Sequence, residues 1–116
     1  MNRKITFYKK ATGECPIETW LNKLSAKEDQ KISWVLKLIR ELDIVPEQYL
    51  KKLSGTKDIW ECRIQLSPNV YRIFSFFWKE GNSLVLTHGY IKKTQKTDKI
   101  EIERAERYKE DWLARN

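Results

Sequence analysis

The chain has 116 residues, and its 23 Lys and Arg against 16 Asp and Glu give a formal charge of +7; that length suits one domain over residues 1–116, and the charge favours a polyanionic partner. A hydrophobic fraction of 41% with five Trp, five Tyr and four Phe excludes a disordered chain. Charges at Arg3, Lys4, Lys9, Lys10, Glu14 and Glu18 exclude a signal peptide, and no run reaches the ~18–20 apolar residues of a membrane span.

Cys15 and Cys62 are far apart and have no His or Cys at ligand spacing. Neither a zinc site nor a disulfide framework is indicated, so the expected setting is the reducing cytosol, with no metal or cofactor and no membrane partner.

Lys4–Tyr8 (KITFY) reads as a strand, closed by the turn residues Thr12 and Gly13. Pro16 suits the first turn of a helix in which Ile17, Trp20, Leu21 and Leu24 follow at i, i+3, i+4, i+7 spacing. Ser25 and Glu28 form a capping-box pattern at the head of a second helix. There Ile32, Val35, Leu36 and Ile39 repeat that spacing, and Pro46 is expected to end it. The two helices suggest a helical hairpin.

From Ile59 the period changes to alternation, with Trp60, Cys62, Ile64 and Leu66 on one face and Glu61, Arg63 and Gln65 on the other. Ser67, Pro68 and Asn69 turn into Val70–Trp78, which is apolar on both faces like a central strand. Glu80, Gly81 and Asn82 turn again into Ser83–Ile91. Asp98 and Glu101 then open a C-terminal helix with Ile102, Ala105, Tyr108 and Trp112 as its inward stripe. The order β-α-α-β-β-β-α predicts an α+β fold, an antiparallel meander packed against the helical hairpin and a C-terminal helix.

Arg72 interrupts an apolar strand, so its charge must reach an open face or a counter-ion such as Glu61. Arg63 shifts the balance towards a ligand. The short hairpin brings the two guanidiniums onto neighbouring strands, and adjacent cations invite an anion between them. Lys92, Lys93, Lys96 and Lys99 follow in HGYIKKTQKTDK, between the last strand and a helix N-terminus whose N–H groups also attract anions. Thr94 and Gln95 can donate hydrogen bonds to phosphate or ribose. Tyr90 borders the lysines and is the aromatic best placed to stack a base, whereas Tyr71, Phe74, Phe76 and Trp78 read as core. His88 is the single histidine and lies inside an apolar strand, where a hydrogen-bonded packing role outweighs that of a base. The pattern points to a phosphodiester gripped by Arg63, Arg72 and the lysines, and so to RNA.

The segments WECRIQL, YRIF and HGYIKKTQKT resemble the RelE/ParE toxin superfamily, in particular its HigB-like, phage-associated branch. The similarity spans nearly the whole chain, and its specific part runs from Leu50 to Ala105. It implies a small toxin of a type II toxin-antitoxin pair, held inactive by a DNA-binding, helix-turn-helix antitoxin. Its free form would cut mRNA on the translating ribosome in the cytoplasm, as a metal-independent endoribonuclease. The resemblance implies that Arg72 serves the scissile phosphate, that Arg63 is a second basic strand position, and that Lys92 or Lys93 is the basic position after the last strand. Arg63, Arg72, Lys92 and Lys93 are then the implied catalytic set, with Tyr90, Gln95, Lys96 and Lys99 contacting RNA. Gln65 stands where a second strand lysine occurs in the superfamily, and no tyrosine occupies Lys92–Glu101, so the general base is left open. Two other functions fit the same features: a ParE-like DNA gyrase poison, and a non-catalytic nucleic-acid-binding accessory protein.

Overall fold

A computed structural model describes residues 3–92 and 99–116. In chain order its elements are β1 (Lys4–Phe7), α1 (Pro16–Leu21), α2 (Ala26–Glu41), β2 (Leu50–Lys52), β3 (Trp60–Leu66), β4 (Asn69–Trp78), a 3-10 turn (Lys79–Gly81), β5 (Ser83–Lys92) and α3 (Lys99–Arg115). The strands form one five-stranded sheet in the order β1-β5-β4-β3-β2. The α+β class stands, but the sheet is mixed. β1 pairs in parallel with β5, with Lys4 opposite Ser83 and Phe7 opposite Leu86. The short strand β2, which the sequence reading does not contain, adds antiparallel to β3.

One face of the sheet is sealed by the first two helices. Ile17, Ile32, Val35 and Ile39 meet Cys62, Ile64, Tyr71, Ile73, Leu84 and Leu86 in a single buried cluster, the outcome expected of helix stripes and alternating strands. α1 packs against β5, and α2 against β3 and β1. The capping box is present: Ser25 N–H donates to Glu28 Oε1 at 2.8 Å, and Glu28 N–H donates to Ser25 Oγ at 3.2 Å. Glu28 also accepts a hydrogen bond from the Tyr71 hydroxyl, which ties the head of α2 to β4.

The second helix ends at Glu41 rather than at Pro46. Leu42 already has extended backbone angles, and the Arg3 guanidinium takes over the free carbonyls. It donates to Ile39, to Leu42 at 2.9 Å and to Asp43 at 3.2 Å, satisfying acceptors that a helix terminus leaves open.

The other face is covered in part by α3. Phe76 and Val85 lie under Tyr108 and Trp112, and Phe74 lies with Ala105 and Ile102, so the stripe read from the sequence is the one that packs on the sheet, Ala105 fully buried and the other three in part. Tyr8, just beyond β1, donates its hydroxyl to Asp111 at 2.6 Å. Burial, reinforced by that carboxylate, pushes the phenol up to about 12. Asp111 also pairs with Arg115, one turn further along α3, at 2.6 Å. No helix among the described residues is long and apolar enough to cross a membrane.

Candidate nucleic-acid interface

Alternation along β3 turns Glu61, Arg63 and Gln65 away from α1 and α2, and strand pairing decides what stands beside them. Directly opposed residues project to the same face of a sheet. Arg63 is opposite Arg72, and Arg72 is opposite Tyr90. Gln65 is opposite Val70, and Val70 is opposite Lys92. Lys51 on β2 is opposite Glu61. The hairpin that aligns the arginines turns through Ser67 and Pro68, joined by a cis peptide bond. The result is a charged end to the α3 side of the sheet, with four cations, Lys51, Arg63, Arg72 and Lys92, around one carboxylate, Glu61.

That carboxylate is deeply buried, at 1% exposure, and Arg72 beside it is 6% exposed. Arg72 Nη1 donates to Glu61 Oε1. Arg63 Nε stands 3.7 Å from the same oxygen, close enough to feel its charge but beyond hydrogen-bond reach. A fork-on-fork pair would satisfy both oxygens of the carboxylate. Here Glu61 Oε2 and Arg72 Nε are buried without a hydrogen-bond partner among the described residues. A cleft of about 300 Å³ opens at this place, lined by Gln48, Arg63, Ile64, Gln65, Val70 and Arg72. The counter-ion expected of Arg72 is thus Glu61, and the register sets Arg72 directly beside Arg63.

Lys92 is half-buried at the end of β5. Burial holds its ammonium below the ordinary lysine value, with Arg72 acting in the same direction, Glu61 opposing, and Arg63 and Lys51 adding to the depression. The structure thus brings Arg63, Arg72 and Lys92 into one electrostatic neighbourhood. Tyr90 shares the row, but one face of its ring is stacked on Phe74, with centroids 5.4 Å apart and planes 11° from parallel. Lys99 is the exposed first residue of α3. Lys93, Gln95 and Lys96, with Thr94, lie outside the described residues.

His88 is a packing residue. It is 5% exposed, and its ring lies between Phe74 at 5.2 Å and Tyr108 at 5.6 Å. Its Nδ1 is 3.1 Å from Thr87 Oγ1. Burial, aided by Arg104, brings its pKa down to about 4. Nε2 is 3.8 Å from a Glu101 oxygen, too far for a hydrogen bond, and near neutrality the imidazole is uncharged.

Sequence reasoning missed Lys51 and Gln48. Both stand outside any strand legible as such, and only the pairing of β2 with β3 reveals Lys51 as a neighbour of Glu61. A larger cleft of about 440 Å³ involves Arg3, Trp60, Phe77 and Lys109, roughly 17 Å along β4 from Arg72 at the usual strand rise. Its carboxylate Asp58 is paired with Lys52 at 3.0 Å, and its Arg3 is engaged by the end of α2. The smaller, arginine-lined cleft is therefore the candidate site. Among the described residues no group of three or more His, Cys, Asp or Glu is placed to hold a metal ion.

A family model described as Phage derived protein Gp49-like (DUF891) matches residues 19–110, a span that contains Lys51, Glu61, Arg63, Arg72 and Lys92. No curated protein matches the chain.

Proposed function

From the premise that this chain belongs to the Gp49-like phage-derived family, one commonly associated with RelE/HigB-like toxins, we propose that it is the toxin of a type II toxin-antitoxin pair and an endoribonuclease that cuts mRNA on the ribosome. The observation that carries this reading is the direct pairing of Arg63 with Arg72 on β3 and β4, with Arg72 buried at a cleft and its Nε unpartnered among the described residues. Buried guanidinium donors of this kind suit a phosphodiester, whose oxygens accept in the same geometry as a carboxylate.

In the proposed reaction the RNA supplies its own nucleophile. The 2′-oxygen bonds to phosphorus as its proton passes to a base, the P–O5′ bond breaks, and the departing 5′-oxygen receives a proton. Arg72 and Arg63 stabilise the extra negative charge on the phosphorane-like transition state. Lys92 is the candidate base, because its lowered pKa makes the neutral amine more accessible than in an exposed lysine. Lys93 and the RNA contacts of Gln95, Lys96, Lys99 and Tyr90 remain part of the proposal. The ribosome supplies alignment, a contribution on the order of 7–11 kcal/mol in favourable cases. A helix-turn-helix antitoxin completes the system.

The test is mapping of mRNA 5′ ends in cells producing the protein or its Arg72→Gln variant. Glutamine removes the charge while its amide still donates towards Glu61, and a thermal melt checks the fold. New mRNA ends are expected with the parent chain, falling at least about a hundredfold in the variant. Equal cleavage by the variant would remove Arg72 from the mechanism. DNA damage without new mRNA ends would replace the nuclease with a gyrase poison.

A further inference from the structure

Glu61 is an unusual residue to find at the centre of a phosphate site. It is 1% exposed, bonded to Arg72 through one oxygen, near Arg63 through the same oxygen, and opposed across the sheet by Lys51. Its second oxygen is buried without a hydrogen-bond partner among the described residues. A carboxylate kept only to stabilise Arg72 would be expected to use both oxygens, since a buried ion pair offsets its desolvation only when its remaining hydrogen-bonding capacity is met.

We infer that Glu61 is a built-in competitor for the phosphate: a positioning residue that occupies Arg72 in the free protein and yields part of it when the RNA backbone enters the cleft. This rests on reading the Arg63–Arg72 row as a phosphate site. The carboxylate and a phosphate oxygen compete for the same donors. Glu61 holds Arg72 Nη1, a donor that a phosphate oxygen entering the cleft would take. The negative charge of Glu61 also cancels one of the four cations around it, weakening attraction for any polyanion that reaches the site by diffusion alone. Stray RNA is thereby bound weakly, and only a strand delivered at high effective concentration, as on a ribosome, overcomes the internal rival. Specificity here comes from a repulsive element placed inside an attractive site.

The experiment measures equilibrium binding of a short, fluorescein-labelled 2′-O-methyl oligouridylate, which cannot be cleaved, to the parent chain, to Glu61→Gln and to Glu61→Asp, by anisotropy over a range of salt. Glu61→Gln is expected to bind about tenfold tighter, as removal of one adjacent like-signed charge would produce after screening. Its salt dependence should steepen by about 0.7 in logarithmic slope, the signature of one further phosphate contact on a single strand. Glu61→Asp keeps the charge but withdraws the carboxylate from Arg72, so it should tighten binding by a smaller factor, and it decides the matter if the glutamine variant does not fold. Unchanged or weaker binding in the folded variants overturns the inference. If the variants bind more tightly but the parent chain produces no new mRNA ends in cells, the competitor stands and the nuclease reading fails. If mRNA ends appear but binding is insensitive to position 61, the competitor alone fails.

Discussion

The α3 side of the sheet is built by two rules that meet within one strand. Under α3, Phe74, Phe76 and Val85 are packed by Ala105, Tyr108 and Trp112, and two titratable groups buried there, Tyr8 and His88, are both shifted by burial towards their neutral forms. Two residues earlier on β4, Arg72 is also buried, but it has Glu61 as a bonded counter-ion. The contrast is one of solvation. A group that a protein takes out of water either gives up its charge or finds an opposite one, and the choice divides this side of the sheet into a neutral half and a half that keeps paired charges.

Removing the counter-ion from the charged half should have the largest effect. Arg72→Ala leaves Glu61 buried without its bonded partner, with no cation nearer than Arg63 at 3.7 Å among the described residues, and a loss of about 3–5 kcal/mol in urea unfolding is expected. A loss under 1 kcal/mol would show that the two halves do not differ as described. The apolar half is probed by pH. The folded His88 titrates at about 4 against its ordinary 6.5, so between these values the unfolded chain binds the proton that the folded chain refuses. The His88 contribution to stability is therefore intact above about 6.5 and declines as pH falls towards 4. The slope reaches up to about 1.4 kcal/mol per pH unit, with no further loss below. In His88→Gln that component of the acid limb should vanish; an identical pH slope in the two proteins would contradict the neutral, sealed imidazole.

Smaller effects sharpen the comparison from the helix-covered side. A Cβ at Gly89 would collide with the Trp20 ring of α1, so Gly89→Ala should lower stability by about 1–3 kcal/mol through overpacking. It should do so without the change in salt-dependent RNA binding expected of substitutions in the charged row. Ser25→Ala should cost about 1 kcal/mol through loss of the helix cap, read from the thermal midpoint, and leave RNA binding unaltered.

The elements carried by strong periodicity were legible before any coordinates: the stripes of α2 and α3, the alternation of β3, and the capping box at Ser25. So was the adjacency of Arg63 and Arg72, because a short hairpin leaves few registers open. What escaped were features set by partners distant in sequence. β2 is three residues long and too short to show alternation, so Lys51 could not be connected with Glu61. The parallel pairing of β1 with β5 joins segments almost eighty residues apart, as with Lys4 and Ser83, and no local pattern encodes it. The early end of α2 depends on Arg3, which lies 39 residues before Leu42 in sequence. Glu61 was visible as a salt-bridge partner, but its half-satisfied carboxylate depends on side-chain geometry that a sequence does not carry.

Among the described residues the sheet order leaves β1 and β2 as its two margins. One is four residues long and begins with exposed Lys4; the other is three residues long and ends with exposed Lys51 and Lys52. When two molecules approach edge to edge, like charges meet across very short rows of unpaired backbone groups, an arrangement that disfavours strand addition and fibril growth. The same lysine that attends the candidate cleft thus also guards an open border against self-association.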